Sequence, residues 1–129
     1  MRGSVLIVDR KMDYAQELSA LLKGAGLGVD VIHSSDSICA LHKEYVYNAI
    51  FVDFESYALR EPSFIREIKG IKPDTKIIIV KETPLIHDRM LKNAIKCGIC
   101  GLISKPFDKD KILDMFCESK NSGKTEELS

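Results

Sequence analysis

Five short apolar runs, rich in valine and isoleucine, recur near residues 4–9, 28–32, 48–53, 76–80 and 101–104, and segments with helical periodicity lie between them. That alternation is the strongest constraint on what this chain can fold into. Strands separated by helices pair in parallel through right-handed crossovers, which sets helices on both faces of one sheet. V-L-I-V at 5–8 and I-I-I-V at 77–80 are apolar without interruption, as strands buried on both faces are. The pattern predicts one three-layer α/β domain, a doubly wound five-stranded parallel sheet of strand order 2-1-3-4-5.

Each connecting segment carries its own helix signals. Asp13 and Gln16 have the spacing of a capping box, Leu18, Leu21, Leu22 and Ala25 form one apolar stripe, and Gly24 and Gly26 close the helix. Ser35 or Asp36 caps a second helix bearing Ile38, Leu41 and Tyr45, and Pro62 opens a third bearing Phe64, Ile65 and Ile68. Pro84 opens a fourth, with Met90, Leu91, Ala94 and Ile95 inward and Gly98 as its stop. Asp108 caps a fifth that buries Ile112, Leu113 and Phe116. The domain is expected over residues 1–118; the apolar-poor stretch 119–129 reads as a disordered tail or the start of a linker.

At 129 residues and 45% hydrophobic content, the chain has the material for one well-filled core. Nineteen basic residues balance nineteen acidic ones, so no net field favours direct nucleic-acid binding or an anionic membrane surface. No apolar run approaches the length of a membrane span, and a cytoplasmic location is the expectation. The four cysteines are too few for a disulfide scaffold.

In a sheet of order 2-1-3-4-5 the winding reverses between the first and third strands, and ligands bind there at the carboxyl ends. Asp9 ends the first of these strands and Asp53 the other. Two carboxylates side by side repel unless a cation or a proton intervenes. Lys105, in S-K-P-F after the fifth strand, is placed at the same edge to supply positive charge.

V-L-I-V-D at the first strand, I-F-V-D at the third, K-C-G-I before the fifth and K-P-F after it resemble, at this spacing, the receiver domain of two-component response regulators. The resemblance covers residue 4 to about 117 and implies a flavodoxin-like fold. It implies Asp53 as the phosphoacceptor, Asp9, Asp53 and the backbone carbonyl of Glu55 as magnesium ligands, and Lys105 as the phosphate-pairing residue. It implies a sensor histidine kinase or phosphotransfer protein as phosphodonor, and a homodimer or effector partner on the face of the fourth predicted helix, fifth strand and fifth helix. A signalling module, not an enzyme, is the leading reading. A peptide bond before Pro106 in the cis form is common in the family, and X-Pro is where cis is least costly.

Several positions depart from that pattern. Arg10 stands where a second acid usually follows the first strand, a change of two charge units beside the metal position. Lys81, or Thr83 if the strand runs longer, stands at the switch position of the fourth strand, and Leu102 replaces the aromatic switch residue. The loop F-E-S-Y-A-L-R-E-P replaces the usual proline-glycine turn. Arg10 and Lys81 are either solvated or internal counter-ions that lower magnesium affinity. The alternative function is thus a degenerate receiver acting as a phosphorylation-independent interaction or dimerisation module.

C-G-I-C at 97–100 has redox or zinc spacing, but Cys97 closes a helix, where the dipole disfavours a thiolate, and zinc lacks further ligands nearby. These thiols are expected to be small buried side chains. His33, His42 and His87 are too scattered for a shared metal, and each is expected to be solvated or satisfied in the core. A flavin protein on the same fold ranks third, since no Ser/Thr-rich phosphate loop follows the first strand.

Overall fold

The computed structural model describes residues 3–10, 12, 14–54, 63–81, 96 and 98–115. Five strands, β1 (Ser4–Val8), β2 (Gly28–Ile32), β3 (Ala49–Asp53), β4 (Lys76–Lys81) and β5 (Gly101–Ser104), form one sheet of order β2-β1-β3-β4-β5. All four pairings are parallel. Helices α1 (Ala15–Gly24), α2 (Ile38–Tyr45) and α3 (Ser63–Ile71), with a C-terminal helix over 109–115, connect or follow the strands. This is the flavodoxin-like architecture expected from the alternation. Most of the fourth predicted helix, residues 55–62 and residues 116–129 lie outside the described residues.

The uninterrupted apolar runs bury on both faces because alternate side chains enter two separate cores. Val5, Ile7, Phe51, Ile78 and Val80 meet Leu18 and Leu22 of α1 and Ile112 of the C-terminal helix. Leu6, Val8, Ile50, Val52, Ile77 and Ile79 meet Ile38 of α2 and Ile65 and Ile68 of α3. Every side chain of β3 is buried, whereas the edge strand β2 is largely exposed. Among the described residues, no helix is long and apolar enough to cross a membrane.

Two helix starts differ from the sequence reading. α1 begins at Ala15 with Tyr14 as its N-cap and no side-chain cap at that position. Its first amides bond instead to Asp9, five and six residues upstream, and Asp13 lies outside the described residues. Ahead of α2, Ser35–Ser37 form a 3-10 turn, so Ser37 takes the N-cap position without a side-chain bond, while the Asp36 amide donates to Ser34 Oγ. The anticipated cap of the last helix does form: the Lys111 amide donates to Asp108 Oδ1 at 3.2 Å.

The amino-terminal end of the sheet is closed by a saturated polar cluster. His42 is fully buried. Its Nδ1 accepts from the Tyr47 amide at 3.0 Å, which leaves the proton of the neutral ring on Nε2, facing Thr75 Oγ1 at 3.0 Å. The Thr75 hydroxyl donates onward to the Tyr47 carbonyl, and the Tyr47 phenol donates to Asp30 Oδ2 at 2.7 Å. Burial, and then the charge of Lys72, push the His42 pKa below its ordinary value. Burial and the Asp30 carboxylate hold the Tyr47 phenol protonated well above its ordinary range.

Candidate functional site

The carboxyl edge of the sheet gathers the residues singled out in the sequence. β1 and β3 pair through Val8 and Val52, so Asp9 and Asp53, each one residue further on, lie side by side on neighbouring central strands. Both are buried, Asp9 to 1% exposure and Asp53 to 9%. Such desolvated acids are uncommon outside working sites and coordinated or paired positions.

Asp9 is held by the start of α1. Its Oδ2 accepts from the amides of Tyr14 and Ala15, both at 2.8 Å, so two otherwise orphaned donors of the helix are satisfied by one carboxylate oxygen. That oxygen thus sits at the positive end of the helix dipole. Tyr14 is anchored in turn, its hydroxyl donating to the Val8 carbonyl and its ring meeting Phe107 edge-on with centroids 6.3 Å apart. The phenylalanine of K-P-F thereby ties the segment after β5 to the β1–α1 turn. The turn itself runs through Met12 at φ 58°, with the Met12 amide donating to the Asp9 carbonyl at 3.3 Å.

His33 also reaches this edge. Its Nδ1 lies 3.0 Å from the Asp9 carbonyl oxygen, and since a carbonyl can only accept, Nδ1 carries the proton. His33 follows β2 directly, and the sequence signal for it was its place at the end of that strand. His42, by contrast, is the satisfied core histidine of the opposite end, and His87 lies outside the described residues.

Lys105 follows β5, is partly buried, and is joined to Pro106 by a cis peptide bond, the form anticipated from the sequence. Arg10 is exposed, in keeping with the solvated of its two readings. β4 extends to Lys81, one residue beyond Val80, which is the register partner of Asp53. The Lys81 ammonium lies over the Phe54 ring, 4.4 Å from its centroid. A cation held so is worth about 0.5–1 kcal/mol at an exposed site. Leu102, the register partner of Ile79, packs with Phe54 against the α2–α3 core. Glu55 and Thr83 lie outside the described residues.

Magnesium takes hard oxygen ligands, keeps several waters and is commonly held by one or two carboxylates. Asp53 and Asp9 Oδ1, which takes no part in the helix cap, are a donor set of that kind. Among the described residues, no cluster of three or more His, Cys, Asp or Glu side chains is assembled. Those two carboxylates fit a magnesium site of the kind that keeps several waters.

The expectation that the C-G-I-C thiols are buried needs correction at Cys100. Cys100 is exposed in the segment leading into β5, with Lys76 Nζ 4.0 Å from its sulfur, and Cys39 is partly buried and donates to Glu67 Oε2 at 3.3 Å. The reason lies in the chain path: Cys100 precedes the strand, and it is Ile99 that turns into the core. Cys97 lies outside the described residues.

A response regulator receiver domain model matches residues 5–116. A response regulator receiver protein of Anaeromyxobacter sp. (strain Fw109-5) is 24% identical over 110 residues, covering 85% of this chain and 45% of the relative. The chain thus spans under half the length of that curated relative. Among solved structures, a CheY-like response regulator receiver domain protein from Methanospirillum hungatei JF-1 superposes with a TM-score of 0.77 at 17% identity, over 98% of this chain and 99% of the other. A response regulator protein from Burkholderia pseudomallei, solved with a phosphorylated aspartic acid, calcium ion and citrate, gives 0.74 at 21% identity, over 96% and 72%. These structural likenesses bear on the fold, and the family match bears on the rest. With a family model spanning nearly the whole domain and a carboxyl-edge pair of buried aspartates at the switch point, this chain belongs to the response regulator receiver domain family, the receiving modules of two-component signalling.

Proposed function

We propose that Asp53 is the phosphoacceptor of this receiver. The observation that supports it is the placement of a buried carboxylate at the end of the central strand β3, beside Asp9 on β1 and on the same sheet edge as Lys105 after β5. An oxygen of the Asp53 carboxylate attacks the phosphorus of the donor, a new P–O bond forms, and the bond to the leaving group breaks with its electron pair departing on that group. The product is an acyl phosphate on Asp53. Lys105 pairs with the phosphoryl oxygens, and the α1 amides hold Asp9 in place through its Oδ2. Magnesium, when bound by Asp53, Asp9 and the Glu55 carbonyl, supplies charge neutralisation between carboxylate and phosphoryl oxygens.

The donor is a histidine kinase or a phosphotransfer protein, as the family implies. The output surface is the face of the fourth predicted helix, β5 and the C-terminal helix. A cleft of about 340 Å³ there is lined by Leu102, Ser104, Lys105, Pro106, Asp108 and Lys111, so that one face carries both the phosphate-pairing lysine and a partner surface. The module works by changing partners, not by turning over a separate substrate.

Incubation with magnesium and acetyl phosphate tests the reading. Acid-stable, base-labile phosphate at one per chain, lost in Asp53→Asn, is the expected result. No label, or label that survives Asp53→Asn, overturns it.

A further inference from the structure

We propose that Tyr14 is a positioning residue for phosphoryl transfer: its side chain, tied to the end of β1, braces Phe107 and so places Lys105 for its pairing with the phosphoryl group. The proposal rests on the phosphoacceptor reading above and adds to that site a residue outside its acids and its lysine.

Tyr14 is buried, and both of its ends are held. Its amide donates to Asp9 Oδ2 at 2.8 Å, and its hydroxyl donates to the carbonyl of Val8, the last residue of β1. A buried phenol needs a partner for its hydroxyl, and this one finds it six residues back along the chain. The ring cannot swing away from the strand end without losing that hydrogen bond. It is a fixed strut between the start of α1 and the end of β1.

What the strut meets is the segment that carries Lys105. Ser104 ends β5 and Asp108 caps the C-terminal helix, so Lys105, Pro106 and Phe107 lie between two fixed points. Pro106 is exposed, whereas Phe107 packs against the core cluster that contains Tyr14, Val80, Ile103 and Ile112. The Tyr14 and Phe107 rings meet edge-on, with centroids 6.3 Å apart and planes at 77°, so that the positive edge of one ring faces the negative face of the other. Phe107 is two residues from Lys105, and the place of its ring therefore constrains where the lysine stem is rooted. The stem itself is flexible, so the root is what has to be placed. A misplacement of about 1 Å at a reacting centre can cost on the order of a hundredfold in rate. The two halves of Tyr14 thus have separable duties: the main chain serves Asp9 and the ring serves Lys105.

Initial rates of Asp53 labelling by acetyl phosphate on the full chain, with magnesium affinity measured by calorimetric titration, test this. Tyr14→Leu keeps the amide but loses the ring and the hydroxyl. Its labelling rate at saturating magnesium should fall about threefold to tenfold, the range an edge-on aromatic pair is worth, while magnesium affinity stays unchanged. Tyr14→Phe, which keeps the ring and frees its far end, should fall between that variant and the wild type. Phe107→Leu should slow labelling as Tyr14→Leu does, and the double variant should be no slower than either. In a Lys105→Met background Tyr14→Leu should have no effect, whereas a general loss of stability would slow both backgrounds alike. Wild-type labelling by Tyr14→Leu, equal slowing with and without Lys105, or a magnesium affinity that falls as far as the rate overturns the positioning role and leaves the phosphoacceptor reading standing. If urea unfolding shows Tyr14→Leu to be unfolded, Tyr14→Phe in the same two backgrounds makes the same comparison. Failure of Asp53 to take any phosphate overturns both.

Discussion

Asp9 holds Ala15: one carboxylate oxygen at the end of β1 accepts from the first amide of α1 at 2.8 Å, and from that of Tyr14 at the same distance. The acid that marks the site is therefore also the cap of the first helix. Asp9→Ala leaves two buried amides without an acceptor and should cost about 1–3 kcal/mol, read as a lower urea midpoint. Asp9→Asn keeps an acceptor oxygen and should recover most of that stability while weakening magnesium dependence of phosphorylation. Equal stability losses in the two variants would show that the cap is not the source.

Arg10 follows Asp9 in the chain, next to the proposed metal position. Arg10→Asp exchanges a cation for a hard oxygen donor and alters the local charge by two units. Magnesium affinity measured by calorimetric titration should rise by tenfold or more, with little change in thermal stability because Arg10 is exposed. An unchanged affinity would remove Arg10 from the account of this site.

The His42 cluster predicts acid sensitivity. A histidine pKa lowered in the fold means that the unfolded chain binds the proton more readily, so the contribution to stability is fully present above the unfolded value of 6.5. It is lost as pH falls from there through the folded value. Protonation would also put a donor on Nδ1 against the Tyr47 amide, which is itself a donor. Urea unfolding at pH 8 and pH 5.5 should show a marked loss in the wild type. His42→Gln should be weaker by about 1–3 kcal/mol at pH 8 and flatter between the two.

Val46 ends α2 in the left-handed region, at φ 51°, and is 41% exposed. A β-branched residue is strained there, and its side chain gains little from burial to offset the strain. Val46→Gly should stabilise the domain by about 1 kcal/mol, seen as a higher melting temperature. A loss of stability would mean that the valine makes contacts worth more than the strain.

Much of the architecture was legible because it depends on period and composition. V-L-I-V and I-I-I-V can be satisfied only where both faces of a strand are covered, and that, with alternating helices, leads to the parallel sheet and to the switch point where Asp9 and Asp53 meet. Lys105 was legible for the same reason, since a residue just past a strand has its edge decided by the strand's direction. The part Asp9 plays in holding the first helix was not legible, because a capping pattern such as Asp13 and Gln16 is a local rule, while this acceptor comes from the end of the preceding strand. Cys100 was misjudged because burial of a loop residue depends on which neighbour turns inward.

The sequence by itself determined the strands, their parallel order, the acids at the carboxyl edge and the family, since each follows from local periodicity or from motifs at set spacing. Tertiary structure alone decided that Asp9 is committed to α1, that His42, Thr75, Tyr47 and Asp30 form one saturated cluster, and that Lys81 rests on Phe54. The physical reason is range: hydrophobic pattern acts along the chain and is written in its period, whereas hydrogen bonds and a cation over a ring are satisfied by whichever group folding brings within a few ångströms.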